Sequence, residues 1–262
     1  MLDRLKVTAR EKLQRAIAEV VAAEQARSQK ELLAKVDRLQ QSIDAVATLV
    51  HDVEYRDRHD LSHAQDCRAA QESADFVLEH MPAARVFWET QDTLRFALGE
   101  IKGPGLALEF GVATGTTLTI IADTVSRDRT VVGFDVFTGL PETWRTGFAE
   151  GEFAQEPPDV PGATVVAGLF EDTLPGFLAQ SDEPIAFMHM DADLYSSSKT
   201  VLDLTADRLA PDAVLLFDEY LNYPGWQQHE HRAWTEFVER TGRTFEYLAY
   251  TGNGEQVALR LT

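Results

Sequence analysis

One short stretch, residues 106–117, constrains the fold of this chain more than any other. Its sequence, LALEFGVATGTT, is an apolar run that ends on a carboxylate and continues into Gly-x-x-x-Gly. The pattern predicts a strand, a tight turn and the start of a helix, with Gly111 and Gly115 letting the backbone approach a ligand closely. Free N–H groups at such a helix start can bind a small molecule, so the stretch indicates a cofactor site. Turns of this kind also occur in α/β domains that bind nothing there.

Three more apolar runs end on an acidic residue, at intervals typical of an alternating α/β domain. They end at Asp135, Asp191 and Asp218, and each is continuous enough to be a parallel strand buried on both faces. Ligands of such sheets bind outside the carboxyl ends of the strands. We therefore expect these side chains and Glu109 to line one crevice. Burying four carboxylates without partners is costly, so the crevice should also hold a cation or several hydrogen-bond donors.

The N-terminal part of the chain has a different character. Residues 1–58 contain neither Gly nor Pro and are rich in good helix formers, which predicts a long helix. Its apolar positions alternate in steps of four and three over about three heptads: Leu32, Val36, Leu39, Ile43, Val46, Val50 and Val53. This seam favours a coiled coil between chains, hence a homo-oligomer, although the seam could instead dock on the chain's own body.

The rest of the chain predicts two further regions. Residues 59–105 resemble two or three short helices that would form a cap, and strands alternate with helices over residues 106–262. The last strands, 244–250 and 256–261, are joined by a hairpin turn signal, TGNG. The expected fold class is α/β: a Rossmann-like, mostly parallel sheet that ends in an antiparallel hairpin and follows a long helix. Prolines and glycines in residues 145–162 predict a mobile loop beside the site.

Composition narrows the classes of partner. The net charge of −19, from 24 Lys and Arg against 43 Asp and Glu, argues against nucleic-acid binding, which needs basic patches. No run approaches the roughly 20 apolar residues of a membrane span, and the first residues lack an apolar signal core. The single cysteine, Cys67, fits a reducing compartment. We therefore expect a cytoplasmic protein whose ligand is a small molecule.

Five motifs in order resemble those of the macrocin-type (TylF-like) sugar O-methyltransferases. They are EFGVATG from 109, DVFTGLP from 135, GLFEDTLP from 168, DADLY from 191 and DEY from 218. The resemblance covers about residues 106–261 and implies a class I methyltransferase fold, S-adenosylmethionine as methyl donor and a divalent metal. It also implies that the acceptor is a hydroxyl of a sugar or glycoside, although an amine acceptor would leave the same motifs in place.

The resemblance implies a place for each part of the methyl donor. The turn around Gly111 would hold the methionine part, with Glu109 facing its amino group directly or through water. Asp135 would accept hydrogen bonds from the ribose hydroxyls, and Phe170 would offer an apolar face to the adenine. Asp135 could instead be a helix cap, and Phe170 a core residue. The expected cofactor-binding residues are Glu109, Gly111, Ala113, Gly115, Thr116, Asp135 and Phe170.

The resemblance also implies that Asp191, Asp218 and Glu219 bind Mg²⁺ or Mn²⁺, which prefer oxygen ligands. Glu219 stands where the family usually has a second Asp, so its longer side chain could shift the metal or leave its coordination sphere. If strand geometry continued beyond β-strand residue Met190, Asp191 and Asp193 would point the same way. Asp193 would then be the general base.

The sequence also suggests roles for two histidines, and two other functions have to be weighed against methyl transfer. His229 could contact the substrate, whereas His189 is expected to be a core histidine. A dehydrogenase would explain the strand-turn-helix, but its glycine spacing is Gly-x-Gly-x-x-Gly and hydride transfer has no use for the paired acids. The remaining alternative is a catalytically silent scaffold of the same fold that recruits partners through residues 1–58. Binding of S-adenosylmethionine would separate these possibilities.

Overall fold

A computed structural model describes the backbone of residues 2–262 and the side chains of residues 7–262. It divides the chain into two compact units, Met1–His63 and Ala64–Thr262. The first unit consists mainly of helix α1, Leu2–His59, so the long helix expected from the sequence is present, with residue 1 outside the described residues. Among the described residues, no helix is both long and apolar enough to cross a membrane.

The seam of α1 is open in the single chain. All seven of its apolar residues are between 50% and 63% exposed. The first unit therefore leaves a continuous apolar stripe on this helix without a covering surface of its own.

The second unit is built on one eight-stranded sheet. Its helices are α2 (Leu61–His80, which begins at the boundary), α3 (Thr90–Gly99), α4 (Thr116–Val125), α5 (Phe170–Leu178), α6 (Tyr195–Thr205) and α7 (Glu230–Thr241). Its strands are β1 (Arg85–Phe87), β2 (Leu106–Phe110), β3 (Val131–Asp135), β4 (Thr164–Ala167), β5 (Ile185–Met190), β6 (Leu209–Phe217), β7 (Phe245–Thr251) and β8 (Val257–Leu261). A single 3-10 turn, Trp226–Gln228, precedes α7.

The sheet order is β1-β7-β8-β6-β5-β2-β3-β4. Strands β6, β5, β2, β3 and β4 run parallel to one another, while β8 is antiparallel to both β6 and β7. This confirms the expected fold class. Phe110 is level with Phe134 and Met190, and Met190 is level with Phe217, so the acidic residues at or just after these strand ends lie along one edge of the sheet.

Two elements differ from the sequence expectation. Strand β1 lies in the region predicted to be helical and pairs in parallel with β7. Three residues are too few to show a strand period, and the partner strand lies some 160 residues away in the sequence. Strand β6 begins at Leu209, before Pro211 and Asp212 interrupt the apolar run that ends at Asp218. A register shift opposite residues 185–187 lies beside Pro211, which has no N–H to donate.

Helices cover both faces of this sheet, as parallel strands require. One apolar cluster joins α3 and α4 to one face through residues such as Leu94, Leu118 and Ile121. The other joins α5, α6 and α7 to the opposite face through residues such as Leu174 and Trp234. The strands that carry the acidic residues are therefore fixed on both sides.

Candidate active site

A cavity of about 640 Å³ lies beyond the carboxyl ends of the parallel strands. The turns after β2, β3 and β5 all contribute to its wall, as open α/β sheets generally arrange their binding sites. The acidic residues of its lining are Asp135, Glu142, Glu171, Asp191, Asp193 and Glu219. Among the described residues, its lining contains one cationic side chain, Arg145.

The turn after β2 brings two loops into close contact. Gly111 has φ of +95°, and a Cβ on it would overlap the backbone carbonyl oxygen of Asp191. Only glycine therefore fits at this position. Gly115, the residue before α4, also has a positive φ, +78°, but a Cβ on it would meet the side chain of Val160 at 2.8 Å instead. Gly111 and Ala113 line the cavity, and Gly115 shapes the turn from behind.

Asp135 lines the cavity and also organises the turn from Gly111 to Gly115, the glycine turn. Its Oδ2 accepts hydrogen bonds from the backbone N–H groups of Val112 and Ala113, both at 2.9 Å. Its Oδ1 accepts one from the N–H of Phe137 at 2.9 Å. Three of the roughly four acceptor positions of a carboxylate are thus used, which leaves capacity for about one ligand hydroxyl rather than the pair that the sequence led us to expect.

The remaining residues expected to bind the cofactor fall into two groups. Phe170, the first residue of α5, lines the cavity and packs edge-on against Phe110 with ring centroids 5.4 Å apart. Thr116 lies outside the lining, and its hydroxyl is 3.0 Å from that of Thr114. Glu109 is completely buried and also lies outside the lining, because its carboxylate binds a histidine inside the sheet.

That histidine is His189, which connects two of the acidic strand ends. Its Nδ1 lies 2.8 Å from Oε1 of Glu109 and its Nε2 lies 3.3 Å from Oδ1 of Asp218. Burial lowers the pKa of His189, but the hydrogen bonds to the two carboxylates outweigh it and hold the pKa well above its ordinary value. Gln256 also donates to Oδ1 of Asp218. His189 is therefore a core histidine, as expected, but one that bridges two acidic residues.

Three other carboxylates form the acidic end of the cavity. Ligand atoms of Asp191, Asp193 and Glu219 lie within 4.8 Å of one another, and all three residues line the cavity. Asp218 lies within the same distance of Asp191 and His189 but outside the cavity lining. The structure thus adds Asp193 to the group and places Asp218 behind it. Asp193 has φ of +58°, so the strand alternation assumed for it from the sequence does not continue past β5.

The carboxyl groups at the acidic end have raised pKa values. Burial, with Coulombic repulsion from neighbouring acids, raises the pKa of Asp191 and of Glu219 well above the ordinary carboxyl range. Burial raises the pKa of Asp193 to about 7, opposed by the charge of Arg145. Oε2 of Glu219 is buried and has no hydrogen-bond partner among the described residues. Hard oxygen donors gathered in this way fit a divalent cation such as Mg²⁺ or Mn²⁺.

The segment after β3 supplies an aromatic wall that sequence reasoning did not identify. Trp144, Phe148 and Phe153 line the cavity, and consecutive rings lie 5.1 and 5.6 Å apart. Arg145 lies over the ring of Trp144 at 4.0 Å and binds Glu255 at 3.1 Å. The signal that could have revealed this wall is the presence of aromatic residues in a stretch otherwise rich in Gly and Pro.

His229, the possible substrate contact, lies beside this wall rather than in the cavity lining. Its ring is 6.5 Å from that of Trp144 and 6.0 Å from that of Tyr223. Burial lowers its pKa, followed by the charge of Arg145, and its Nδ1 is buried without a partner among the described residues. The following residue, Glu230, is fully buried and was also missed, because a lone acid at a helix start resembles an ordinary solvent-exposed first-turn residue.

Comparisons with known proteins find the following similarities. Residues 108–220 match a family model described as a methyltransferase domain. A crystal structure of CalS11, calicheamicin methyltransferase, is 26% identical over 65% of this chain and 77% of that chain, with a TM-score of 0.54. An apo structure of CalS11, described as a TDP-rhamnose 3'-O-methyltransferase, is 25% identical over 65% and 77%, with a TM-score of 0.47. The O-methyltransferase NovP is 22% identical over 66% and 79%, with a TM-score of 0.49. No curated protein sequence matches significantly.

The family match covers the turn after β2 and both acid-bearing loops, and the first CalS11 structure shares the fold. The chain therefore carries a methyltransferase domain of Rossmann-like fold.

Proposed function

We propose that this protein is a class I, S-adenosylmethionine-dependent O-methyltransferase of the macrocin type that methylates a sugar or glycoside hydroxyl with the help of a divalent metal. The observation that carries the proposal is the position of the acidic group of Asp191, Asp193 and Glu219 in the same cavity as the glycine turn. The similarity to CalS11, described as a TDP-rhamnose 3'-O-methyltransferase, supports a sugar acceptor.

The glycine turn fits S-adenosylmethionine because it offers a wall without side chains at Gly111 and a partly satisfied carboxylate at Asp135. Phe170 would cover the adenine. When bound, S-adenosylmethionine supplies the methyl group on a sulfonium sulfur. The protein's part is to hold the acceptor oxygen in line with that carbon, and such positioning can contribute about 7–11 kcal/mol.

The acidic end fits a divalent cation because its carboxylates lie close together and at least partly buried, and one oxygen of Glu219 has no hydrogen-bond partner among the described residues. Asp191, Glu219 and, through its remaining oxygen, Asp218 would hold the ion. When bound, the ion lowers the pKa of a coordinated hydroxyl.

Asp193 would remove the proton of the acceptor hydroxyl. A base works best when its pKa lies near the operating pH, and the pKa of Asp193 is raised by burial to about 7. Asp193 lies three residues past the end of β5, on the same loop as Asp191, so one loop supports both the base and a proposed metal ligand.

The body of the acceptor would lie against the wall of Trp144, Phe148 and Phe153, beyond the acidic group. Sugars present apolar C–H faces that pack on aromatic rings. The charge of Arg145 is already matched by Glu255, so it would position this wall rather than bind a free anion. His229, whose ring lies 6.5 Å from that of Trp144, would be a candidate for a polar contact with the acceptor.

The experiment that tests this function is calorimetric titration with S-adenosylhomocysteine, followed by turnover with S-adenosylmethionine and a panel of rhamnosides and other glycosides. We expect cofactor binding with or without chelator, and turnover that stops with EDTA and returns with Mg²⁺ or Mn²⁺. Absence of cofactor binding would favour the scaffold alternative. Turnover that continues in EDTA would show that the reaction does not need a divalent metal.

We further propose that α1 assembles the protein as a homo-oligomer. Val36, Ile43 and Val50 occupy one set of alternating seam positions and are β-branched, which favours pairing of parallel helices. Ile43→Glu should therefore lower the mass measured by light scattering, whereas Gln41→Glu, on the outer face of α1, should not. Equal masses for both variants would mean that assembly does not use the seam.

A further inference from the structure

Glu230, the first residue of α7, is a fully buried carboxylate without a part in the function proposed above. Its Oε2 accepts a hydrogen bond from the backbone N–H of Glu219 at 3.0 Å. Its Oε1 accepts a longer one, 3.5 Å, from the N–H of Ala192. One side chain therefore bonds two loops, the loop after β5 and the loop after β6.

These two loops carry the whole acidic group. Ala192 lies between Asp191 and Asp193, and Glu219 directly follows Asp218. In the described chain, the N–H of Asp218 bonds the carbonyl oxygen of Met190 at 2.8 Å, which is the last backbone hydrogen bond between the two strands. Beyond that point, the two hydrogen bonds to Glu230 link the two loops.

Burying the carboxyl group of Glu230 costs free energy, so nearby groups must offset this cost. Its oxygens find two backbone N–H groups, and its position at the start of α7 places it at the positive end of the helix dipole. No cationic side chain pairs with it among the described residues. An apolar residue of similar size would avoid the cost of burying a polar group, so stability alone does not explain a glutamate here.

We propose that Glu230 is a positioning residue that fixes the distance between the Asp191 and Glu219 loops to that required by the divalent cation. The inference rests on the metal-binding part of the proposed function. Groups that orient metal ligands typically change metal affinity by about 10- to 100-fold when they are removed. Glu230 would act on the backbone of the ligand-bearing loops rather than on the ligand side chains.

The test compares Glu230→Gln with Glu236→Gln, a half-exposed glutamate on the same helix that pairs with Arg232 and accepts a hydrogen bond from Tyr195. Glutamine keeps the size and one acceptor oxygen, but it sets an amide N–H against one of the backbone N–H groups. Calorimetry with Mn²⁺, at saturating S-adenosylhomocysteine, should show affinity lowered about 10- to 100-fold in Glu230→Gln and unchanged in Glu236→Gln. The affinity for S-adenosylhomocysteine should be the same in both.

The possible failures are distinct. Wild-type protein that binds the cofactor but no Mn²⁺ would end the proposed metal function itself. Wild-type Mn²⁺ affinity in Glu230→Gln would overturn the positioning role alone. A parallel loss of cofactor affinity would show a general structural role and would also overturn it. If Glu230→Gln does not fold, Glu230→Asp, which keeps the charge but is too short to reach both loops, is expected to show the same selective loss of Mn²⁺ affinity, and wild-type affinity there would overturn the role.

Discussion

The two ends of the cavity are built on opposite principles. At the glycine turn, the carboxylate of Asp135 is matched by three backbone N–H groups, so the turn is complete before any ligand arrives. At the acidic end, Asp191, Asp193 and Glu219 face one another, and an oxygen of Glu219 has no partner among the described residues. The first end is organised by the chain itself, and the second is the end where the proposed function places a divalent cation.

Substitutions at the two ends of the cavity should therefore have different effects. A change at the glycine turn should damage the fold and the cofactor site together, because the backbone of one loop touches that of another. A change at the acidic end should leave the fold intact and act through charge. Three predictions test this contrast.

The largest effect is expected for Gly111→Ala. The new methyl group would overlap the carbonyl oxygen of Asp191, a backbone atom that cannot move without shifting the loop that carries it. We expect the free energy of unfolding to fall by about 3 kcal/mol or more and the affinity for S-adenosylhomocysteine to fall by about 100-fold. Denaturant unfolding and calorimetry measure the two quantities.

Gly147→Ala is the matched control for that substitution. Its φ is also +95°, but a Cβ there would meet no atom within 4 Å. It should cost only the backbone strain, about 1 kcal/mol. If the two variants lose equal stability, crowding between the loops is not what requires glycine at position 111.

The site could be predicted from the sequence as far as it depends on strand ends. Strands β2 and β5 are buried along their length, and β3 and β6 are buried in the residues that lead up to their acids. Their ends are level with one another, so the acids there had to share one edge. What the sequence could not supply is the direction of each side chain. Glu109 turns inward to His189, 80 positions later in the chain, and no local pattern predicts that contact.

Asp193 shows the same limit at closer range. The expectation that it points the same way as Asp191 assumed an extended backbone, whereas its φ is +58°. It still reaches the cavity, through a left-handed turn that a sequence pattern does not reveal for a non-glycine residue. Strand β1 was missed for a related reason, since a three-residue strand is defined by its partner β7 and not by its own period.

The second prediction concerns pH and the acidic end. Carboxyl groups that hold a cation or lie beside it favour its binding only once they have lost their protons. Burial raises the pKa of the proposed ligands Asp191 and Glu219, and it raises the pKa of the neighbouring Asp193 to about 7. The affinity for Mn²⁺ should therefore rise with pH, by about tenfold per unit for each proton released, between about pH 6 and 8. Calorimetry at pH 6, 7 and 8 measures this slope.

The cofactor end supplies the comparison within the same experiment. The affinity for S-adenosylhomocysteine should change little over that range, because the turn at that end is organised by backbone N–H groups, which do not lose protons in this range. Asp193→Asn should flatten the Mn²⁺ slope, since it removes one of the titrating groups. A flat slope in the wild-type protein would show that the acidic group is already ionised without the cation.

The smallest effect is expected for Phe170→Leu, which asks whether this ring belongs to the cofactor end or only to the core. Leucine keeps most of the apolar volume but removes the flat face, so stability should fall by less than about 1.5 kcal/mol. If the ring covers the adenine, the affinity for S-adenosylhomocysteine should fall about three- to tenfold, the range expected for one aromatic contact of roughly 0.5–1.5 kcal/mol.

Phe177→Leu is the control on the same helix, because Phe177 packs on Phe134 at 5.2 Å and lies outside the cavity lining. It should lose similar stability and no cofactor affinity. Equal cofactor affinity in the two variants would assign Phe170 to the core alone, leaving the adenine to be held by the backbone of residues 168–169.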